Sequence, residues 1–285
     1  MKPAKSRGFF RSSEDSHGGG ESPLPFFEVK GALSVQPAVF EYEEEDSTNA
    51  RARVLLTQGC IPYRGLIRAK KQYQGRGRKG RRWCSPVGGL WMTYVLRPSV
   101  SHSRWGLYPL LAGVAVHQAI CETCQIQIDL KWPNDLLWRR RKLGGILCEG
   151  VYPHVLIGIG INGRIHWASE EHEQMRQEPI DLYTATDGAF DASDSRLGGL
   201  ALAIGKAIEE WDEMLTHSAA AVRKTWSRLS STLGQTVIIQ QGRAQWEGVA
   251  RALDDEGALL VEKSDGAMTP VRAGDVSLRL TEREI

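Results

Sequence analysis

The stretch from residue 71 to residue 86, KQYQGRGRKGRRWCSP, interleaves glycines with basic side chains. The glycines match the G-x-G-x-x-G pattern of dinucleotide-binding loops, but every intervening residue is basic. A dinucleotide loop must open a helix, and an acid must follow about 20 residues later. Here a predicted strand follows, and neither Asp nor Glu occurs between Trp83 and Cys121. A P-loop is excluded as well, because Gly80 precedes Arg81 and not Lys followed by Ser or Thr.

Two interpretations of this basic glycine loop remain open. The run from Arg64 to Arg82 contains nine Lys and Arg residues and no acid, and Tyr73 and Trp83 could stack on bases, as in a nucleic-acid-binding surface. Glycine interleaved with arginine costs chain entropy, which favours a loop that closes its backbone around an anion. Arginine supplies rigid donors to carboxylate and phosphate oxygens. We therefore prefer an anion-wrapping loop that becomes ordered on ligand binding over a merely solvated basic surface.

A second constellation surrounds a predicted turn at residues 133–135. Lys131 and Asp135 place a cation and a carboxylate on either side of the turn, and Lys142 follows with two glycines close behind it. Glycines also interrupt the β-branched segment GIGIN at 158–162. Each feature alone is typical of a turn or a tightly packed strand. Together they predict a sheet surface left bare for a flat ligand, as an adenylation or another phosphate-activating reaction requires.

The elements that must position these residues follow from hydrophobic periodicity and turn residues. Strands are predicted at 38–46, 65–72, 88–98, 126–138 (two short strands), 142–151 and 154–162. Helices are predicted at 50–58, where DSTN (46–49) supplies capping side chains, and at 104–124, 195–215 and 219–230. From residue 233 onward, short strands separated by turn residues predict a small all-β module of barrel type.

Domain organisation and composition bound the class of protein. We predict a flexible tail at 1–36, a ligand-binding and catalytic domain at 37–231 and a C-terminal domain at 232–285, since about two domains are expected for 285 residues. The chain has 36 basic and 34 acidic residues, so nucleic-acid binding would have to rest on a local patch. No segment approaches the roughly 20 apolar residues of a membrane span, and the N-terminus has no apolar segment typical of a secretory signal.

Cysteine usage predicts reduced thiols in a cytoplasm, because five cysteines form no even framework. Cys121 and Cys124 form a C-x-x-C one turn after His117 on a predicted helix. No second ligand pair follows at zinc-site spacing, so we predict that these side chains pack and do not bind a metal.

Several motifs taken together resemble the motif series of biotin protein ligases, also called biotin–[acetyl-CoA-carboxylase] ligases. They are DSTN (46–49), QYQGRGRKGRRW (72–83), KWPNDLLW with RKLGGILCEG (131–150) and IGIGIN (157–162). The C-terminal GALLVEKSDGAMTPVRAGDVSLR resembles the SH3-like domain of the same family. The resemblance implies an α+β fold: a mixed, mostly antiparallel sheet with helices, like class II aminoacyl-tRNA synthetases and biotin ligases, plus a small C-terminal SH3-like β-barrel.

The resemblance also implies roles for individual residues. Biotin contacts are implied for Ser47, Thr48, Asn49, Gln72, Arg76, Gly77, Arg78, Lys142, Gly145 and Gly158. Contacts to ATP or the adenylate are implied for Arg76, Arg78, Trp83, Lys131, Asn134, Asn162 and Arg279. We expect Arg78, Lys142, Asp135 and Lys131 to be catalytic, with Asp135 orienting Lys131 or a metal and accepting a proton from the incoming amine.

The implied activity is ATP-dependent and AMP-forming, with ATP, Mg²⁺ and biotin taking part and no protein-only metal site. The implied partner is the biotin carboxyl carrier domain of acetyl-CoA carboxylase or another biotin-dependent carboxylase. The enzyme would be a monomer or homodimer, and we expect no specific DNA binding because the winged helix of the repressor members is missing. The alternatives are a lipoate or octanoate ligase or transferase of the same fold, and a nucleic-acid-binding module with strongly salt-dependent affinity.

Overall fold

The computed structural model describes residues 37–61, 63–167, 177–241, 243–272 and 275–278. The predicted tail at 1–36 and the predicted contact residue Arg279 lie outside the described residues. Among the described residues, no helix is both long enough and apolar enough to cross a bilayer.

Seven strands form the main sheet, in the order β1-β2-β3-β7-β6-β5-β4. They are β1 (Ala38–Glu45), β2 (Arg64–Gln72), β3 (Leu90–Leu96), β4 (Asp129–Lys131), β5 (Asp135–Trp138), β6 (Arg141–Val151) and β7 (His154–Ile161). The pair β1/β2 is parallel, and the other neighbouring pairs are antiparallel. This confirms the predicted mixed, mostly antiparallel sheet and the predicted hairpins around 133–135 and 152–153.

The described helices also follow the sequence pattern, except a short one at 182–185 that was not predicted. They are α1 (Thr48–Thr57), α2 (Tyr108–Cys124), α3 (Leu182–Ala185), α4 (Asp194–His217) and α5 (Ala219–Arg228). Residues 102–107 form a 3₁₀ turn ahead of α2, so the predicted helix at 104–124 begins later than expected, with Pro109 in its first turn. Ser47 occupies the N-cap of α1 with extended backbone, but its side chain makes none of the predicted capping hydrogen bonds.

The residues of strand β7 show that the two faces of the sheet differ. Its isoleucines at 157, 159 and 161 are buried on one face, and Gly158 and Gly160 alternate with them on the other. The isoleucine face packs against α2 and α4 in the main core. Helix α1 packs on the glycine face in a smaller core with Ile67, Val95 and Leu156. Helix α1 covers one end of that face as far as Gly158, where its residue Asn49 meets the strand, and the part around Gly160 is left for other side chains.

The C-terminal region forms a separate antiparallel sheet of order β11-β10-β9-β8-β12. Its strands are β8 (Thr236–Gln241), β9 (Ala244–Leu253), β10 (Leu259–Glu262), β11 (Met268–Val271) and β12 (Asp275–Leu278). The predicted small all-β module is therefore present. The boundary at 231/232 stays a prediction, since buried side chains of both sheets belong to one continuous core.

The C-terminal sheet is tied to the turn between β4 and β5. The Trp132 backbone N–H donates to Thr232 Oγ1 at 2.9 Å, and its indole Nε1–H donates to the Gly257 carbonyl at 3.1 Å. Trp132 is buried, so this anchor fixes the turn that carries Lys131 and Asp135.

Candidate functional site

One row of register partners crosses the glycine face of the sheet. Lys131 pairs with Asp135, Asp135 with Gly145, Gly145 with Gly160, and Gly160 with Trp91. Directly paired residues point to the same face of a sheet, so these five positions form one line, which we call the cross-strand row. The charged residues lie at one end and the glycines in the middle. The pattern that the sequence predicted around 133–135 and in GIGIN is thus brought together by strand register.

The glycines of this face make room for two side chains that approach the strands closely. A Cβ at Gly160 would lie 2.6 Å from Trp83 Nε1, and a Cβ at Gly158 would lie 2.5 Å from Asn49 Oδ1. At Gly145 it would lie 3.5 Å from the Trp83 ring, which is ordinary contact. The surface predicted to be bare is therefore covered in part by Trp83 and Asn49. Gly158 and Gly160 are required because those two side chains sit on the backbone itself.

A polar network connects the start of α1 with the end of β2. Gln72 Oε1 accepts from the Thr48 backbone N–H at 2.8 Å and lies 3.2 Å from the Thr48 hydroxyl. Gln72 Nε2 donates to Ser85 Oγ at 2.8 Å. The Thr93 hydroxyl lies 2.8 Å from the Thr48 hydroxyl and 2.6 Å from Asn49 Oδ1. Thr48, Asn49 and Thr93 are buried, so the network forms a polar pocket beneath α1.

The basic glycine loop folds into an ordered hairpin. Gln72 and Ser85 pair across its base, and Arg76 pairs with Arg82 further out. The Gly77 N–H donates to the Arg81 carbonyl at 2.7 Å, and a 3₁₀ turn at 78–80 closes the tip. Gly80 has a φ of +71°, which glycine adopts without strain. This hairpin carries Arg76 on one arm and Arg78 in the turn at its tip, and the anion-wrapping role stays a prediction.

Trp83 leads from the hairpin back to the sheet. Its backbone N–H donates to the Gly75 carbonyl at 2.8 Å, and its ring meets the edge of Trp91 with centroids 6.5 Å apart. The Lys142 ammonium lies 5.3 Å from the centre of the Trp83 ring. Among the described residues, Trp83 Nε1 is buried without a hydrogen-bond partner. Trp83 thus forms an aromatic wall above Gly145 and Gly160, at the point where the cations begin.

The charged end of the site centres on one ion pair. Lys142 Nζ donates to Asp135 Oδ1 at 2.6 Å, and both side chains are largely buried. Burial lowers the pKa of Lys131, an effect that Asp135 opposes and the Lys142 charge assists. We expected Asp135 to orient Lys131 or a metal. The structure shows a hydrogen bond from Lys142 to the Asp135 carboxylate, because a bulge after Leu136 in the β5/β6 pair places Lys142 next to it. Asp135 also pairs with Lys131 across β4 and β5, so the orienting role toward Lys131 stays a prediction.

The two predicted asparagines brace the strands around Lys142. Asn134 Nδ2 donates to the Ile146 carbonyl at 2.7 Å, which fixes the turn to β6. Asn162 Nδ2 donates to the carbonyls of Lys142 and Ile180 at 3.2 and 2.9 Å. Within the described part of the chain, Asn162 Oδ1 is buried without a partner. Both amide nitrogens are therefore used internally, and the buried Asn162 oxygen has unused hydrogen-bonding capacity.

Thr93 and Ser85 belong to the pocket but were missed in the sequence. Thr93 is the one aliphatic hydroxyl residue in the buried, otherwise apolar and aromatic strand LWMTYVL, and this polar residue type could have identified it. Ser85 gave no such signal, because its role depends on the hairpin pairing with Gln72.

The cysteine and histidine side chains on α2 lie away from this face. His117 Nδ1 lies 2.7 Å from the Ile128 carbonyl oxygen, and Cys121 Sγ lies 3.3 Å from His117 Nε2. Burial raises the pKa of the Cys121 and Cys124 thiols. The part of the chain that the structure describes contains no group of three or more His, Cys, Asp or Glu residues able to hold a metal.

Comparison with known proteins assigns the fold and motifs to one family. The model described as "Biotin/lipoate A/B protein ligase family" matches residues 44–162, and that described as "Biotin protein ligase C terminal domain" matches residues 232–279. The Biotin--[acetyl-CoA-carboxylase] ligase of Paracoccus denitrificans is 32% identical over 229 residues, which covers 78% of this chain and 92% of that protein. The chain belongs to the biotin protein ligase family.

Other relatives agree with this family. The Bifunctional ligase/repressor BirA of Bacillus subtilis (strain 168) is 30% identical over 243 residues, which is 83% of this chain and 73% of that protein. The biotin protein ligase from Aquifex aeolicus, solved in complex with biotin and ATP, has a TM-score of 0.70 and 28% identity. The alignment covers 85% of this chain and 99% of the Aquifex chain.

Family membership explains why the polar pocket, the hairpin and the ion pair share one face of the sheet, since a biotin protein ligase must hold the biotin carboxyl group next to the phosphates of ATP. The donor set does not fit a metal held by the protein. The carboxylate at the site, Asp135, already pairs with Lys142, and its neighbours are otherwise cationic. Of the implied residues, Thr48, Asn49 and Gln72 form the polar pocket. Gly145 and Gly158 lie under Trp83 and Asn49, and Arg279 is outside the described ranges. The contacts with biotin and ATP stay predictions.

Proposed function

We propose that this chain is a biotin protein ligase that activates biotin with ATP to biotinyl-5′-AMP and transfers the biotinyl group to a lysine of a carrier protein. The observation that carries the proposal is the continuity of the polar pocket, the Trp83 wall and the Lys142–Asp135 ion pair along one face of the sheet. A polar ring at one end of the ligand and an acid at the other fit this order of groups. Family membership supports the same assignment.

Biotin would lie with its ureido ring in the polar pocket at Thr48 and Gln72. Its valeryl chain would then run toward Lys142, where the carboxylate meets positive charge. Lys142 would exchange its Asp135 contact for contacts with the biotin carboxylate and the α-phosphate. Arg76 and Arg78 on the hairpin would close over the phosphate, since an arginine guanidinium offers paired donors to phosphate oxygens.

In the first step, a carboxylate oxygen of biotin attacks the α-phosphorus of ATP, and the bond to pyrophosphate breaks. A carboxylate is a weak nucleophile, so the protein contributes positioning and charge neutralisation. Lys142 and Arg78 neutralise charge on the phosphate oxygens. Trp83 offers a flat apolar surface for the adenine. We include Mg²⁺ in the proposal as an ion that arrives with the ATP phosphates.

In the second step, the carrier lysine amine attacks the carbonyl carbon of the mixed anhydride. The new C–N bond forms, the C–O bond to AMP breaks, and the amine loses a proton. We propose Asp135 as the acceptor of that proton, because it is the carboxylate at this end of the cross-strand row. Lys131 would then contribute positive charge beside the departing AMP.

The acceptor we propose is the biotin carboxyl carrier domain of acetyl-CoA carboxylase or of another biotin-dependent carboxylase. The name of the Paracoccus denitrificans relative supports an acetyl-CoA carboxylase partner. We further propose a cytoplasmic enzyme, monomeric or homodimeric, without specific DNA binding. The free cysteines of the described chain suit a reducing compartment.

One assay tests the activity against its alternatives. Purified protein is mixed with MgATP, a carrier domain and either biotin, lipoate or octanoate, and the intact carrier is weighed by mass spectrometry. We expect the carrier to gain the mass of one biotinyl group when the acid is biotin, and no mass when it is lipoate or octanoate. A carrier whose target lysine is replaced by arginine should gain no mass. A gain with lipoate or octanoate and none with biotin would overturn the proposal. The matching of the biotin protein ligase C terminal domain at residues 232–279 disfavours that result.

A further inference from the structure

Strand β6 carries an acidic residue into the polar pocket from the side opposite Gln72. Glu149 Oε2 accepts from Asn49 Nδ2 at 2.7 Å, and Glu149 Oε1 lies 3.2 Å from a guanidinium nitrogen of Arg53. Asn49 is 7% exposed, whereas the Glu149 side chain is 35% exposed and reaches solvent through its Arg53 contact. Glu149 therefore joins the surface of the protein to a side chain inside the pocket.

The Glu149 carboxylate is the nearer of two acceptors that set which way the Asn49 amide points; the other is the Leu147 carbonyl, 3.5 Å from Asn49 Nδ2. A carboxylate of this kind accepts hydrogen bonds, so it selects the NH₂ end of the amide and turns Oδ1 toward Thr93. The distance from Asn49 Oδ1 to the Thr93 hydroxyl is 2.6 Å. Gly158 permits this arrangement, because a Cβ there would lie 2.5 Å from the same oxygen.

The orientation of the Asn49 amide also affects the hydrogen bonding of the Thr48 hydroxyl. A hydroxyl has one proton, and Asn49 Oδ1 can only accept, so the Thr93 proton is directed to Asn49. The Thr48 hydroxyl, 2.8 Å from that of Thr93, donates its own proton to Gln72 Oε1 at 3.2 Å. Thr48 is left with its lone pairs for another partner, which makes it an acceptor. The N–H groups of a ureido ring are donors and need an acceptor of this kind.

We propose that Glu149 is a positioning residue for biotin recognition, acting through Asn49 and Thr93 to present the Thr48 hydroxyl as an acceptor to a ureido N–H. This inference rests on the proposed function. Glu149 touches neither biotin nor ATP in this scheme, so its effect falls on the affinity for biotin. It does not fall on ATP or on the rate at saturating biotin.

The first test replaces the acceptor. Glu149→Ala removes it, and Glu149→Gln keeps an amide oxygen that can still accept from Asn49. Hydrogen bonds to charged groups are typically strong, so we expect the biotin KM of Glu149→Ala to rise about tenfold or more. The ATP KM and kcat should stay within about twofold, and Glu149→Gln should recover most of the loss. Arg53→Ala is the matched control, because an exposed ion pair contributes little, and its biotin KM should change less than about twofold.

The second test reverses the polarity of the bridge. Asn49→Asp sets two carboxylates against each other and should raise the biotin KM more than Glu149→Ala does. Adding Glu149→Gln supplies an NH₂ donor to the new aspartate, while its other oxygen still accepts from Thr93. We expect Asn49→Asp with Glu149→Gln to recover at least tenfold in biotin KM relative to Asn49→Asp alone.

The outcomes separate the inference from the proposed function. Absence of biotin-dependent carrier modification by the unaltered protein contradicts the proposed function. An active unaltered protein, with additive effects of Asn49→Asp and Glu149→Gln, contradicts the positioning role alone. If the Glu149→Ala protein fails to fold, the inference is decided by the biotin KM of Asn49→Asp with and without Glu149→Gln. Thermal unfolding of every variant reports whether a KM change accompanies loss of structure.

Discussion

Gly160 provides a direct test of the aromatic wall, because its replacement by alanine acts on one neighbour. The new Cβ would lie 2.6 Å from Trp83 Nε1 and 2.9 Å from Trp83 Cε2. Non-bonded heavy atoms prefer separations of about 3.5–4.0 Å, so the indole must move by about 1 Å. Trp91 packs against the ring edge, so the indole moves away from the sheet and into the space proposed for adenine.

Adenine bound in its proposed place would press the indole back against the new methyl group, and overpacking of this kind costs about 1–3 kcal/mol. Since about 1.4 kcal/mol corresponds to a factor of ten, the ATP KM of Gly160→Ala should rise roughly five- to 150-fold. The assay is steady-state carrier biotinylation, with the KM values for ATP and biotin measured separately. The biotin KM should change much less, since the three atoms nearest the new Cβ all belong to Trp83, whereas Asn49 meets Gly158 and Thr48 bonds to Gln72.

Two matched glycine variants sharpen the result. Gly158→Ala would place its Cβ 2.5 Å from Asn49 Oδ1, so we expect this variant to raise the biotin KM and to spare the ATP KM. Gly199→Ala lies in α4 with nothing within 4 Å of the new Cβ, so both KM values should be unchanged. Equal effects of Gly160→Ala and Gly158→Ala on both substrates would refute the division of the sheet into a biotin end and an ATP end.

Three further predictions concern the charged side chains. Arg78→Ala should release biotinyl-5′-AMP about ten- to 100-fold faster, because it loses charge-assisted hydrogen bonds to the intermediate, while it partly retains biotin binding. The release of labelled intermediate measures this rate, and a variant that held the intermediate as long as the unaltered protein would contradict the assigned role. Lys142→Met should lower kcat of the first step by a factor of about 100 or more, because it removes positive charge from the phosphate oxygens and leaves Asp135 without its ion pair. The rate of pyrophosphate release measures this step. Burial lowers the pKa of Lys131, so the protonated side chain opposes folding below its folded pKa, and this destabilisation disappears as the pH rises toward the ordinary lysine value of 10.5. Lys131→Met should therefore raise the free energy of unfolding at pH 7, by an amount that shrinks as the pH approaches 10, and urea unfolding at a series of pH values tests it.

Local patterns in the sequence predicted most elements of the fold. The alternation in IGIGI predicts a strand with one apolar face and one open face, and β7 has this form. The turns at 133–135 and 152–153 also lie where proline predicted them. The prediction that DSTN (46–49) supplies the capping side chain of α1 was wrong: Ser47 stands at the N-cap, but its side chain makes no capping hydrogen bond.

The partners of individual side chains were harder to predict. The sequence identified Lys131, Asp135 and Lys142 as one charged group but assigned Asp135 to Lys131. The ion pair with Lys142 depends on a register shift between β5 and β6 that no local pattern indicates. Likewise, Glu149 lies in the quoted motif RKLGGILCEG, but its contact with Asn49 joins residues 100 positions apart.

The sequence by itself determined the residue types of this protein's site and the strands that carry them, because period and turn chemistry are local properties. It also contained the family motifs, from DSTN to IGIGIN. Only the tertiary structure decided that Trp83 and Asn49 lie on Gly160 and Gly158, and that Lys142 bonds to Asp135. Those contacts depend on strand register and on the path of the hairpin, which are set by packing across the whole sheet.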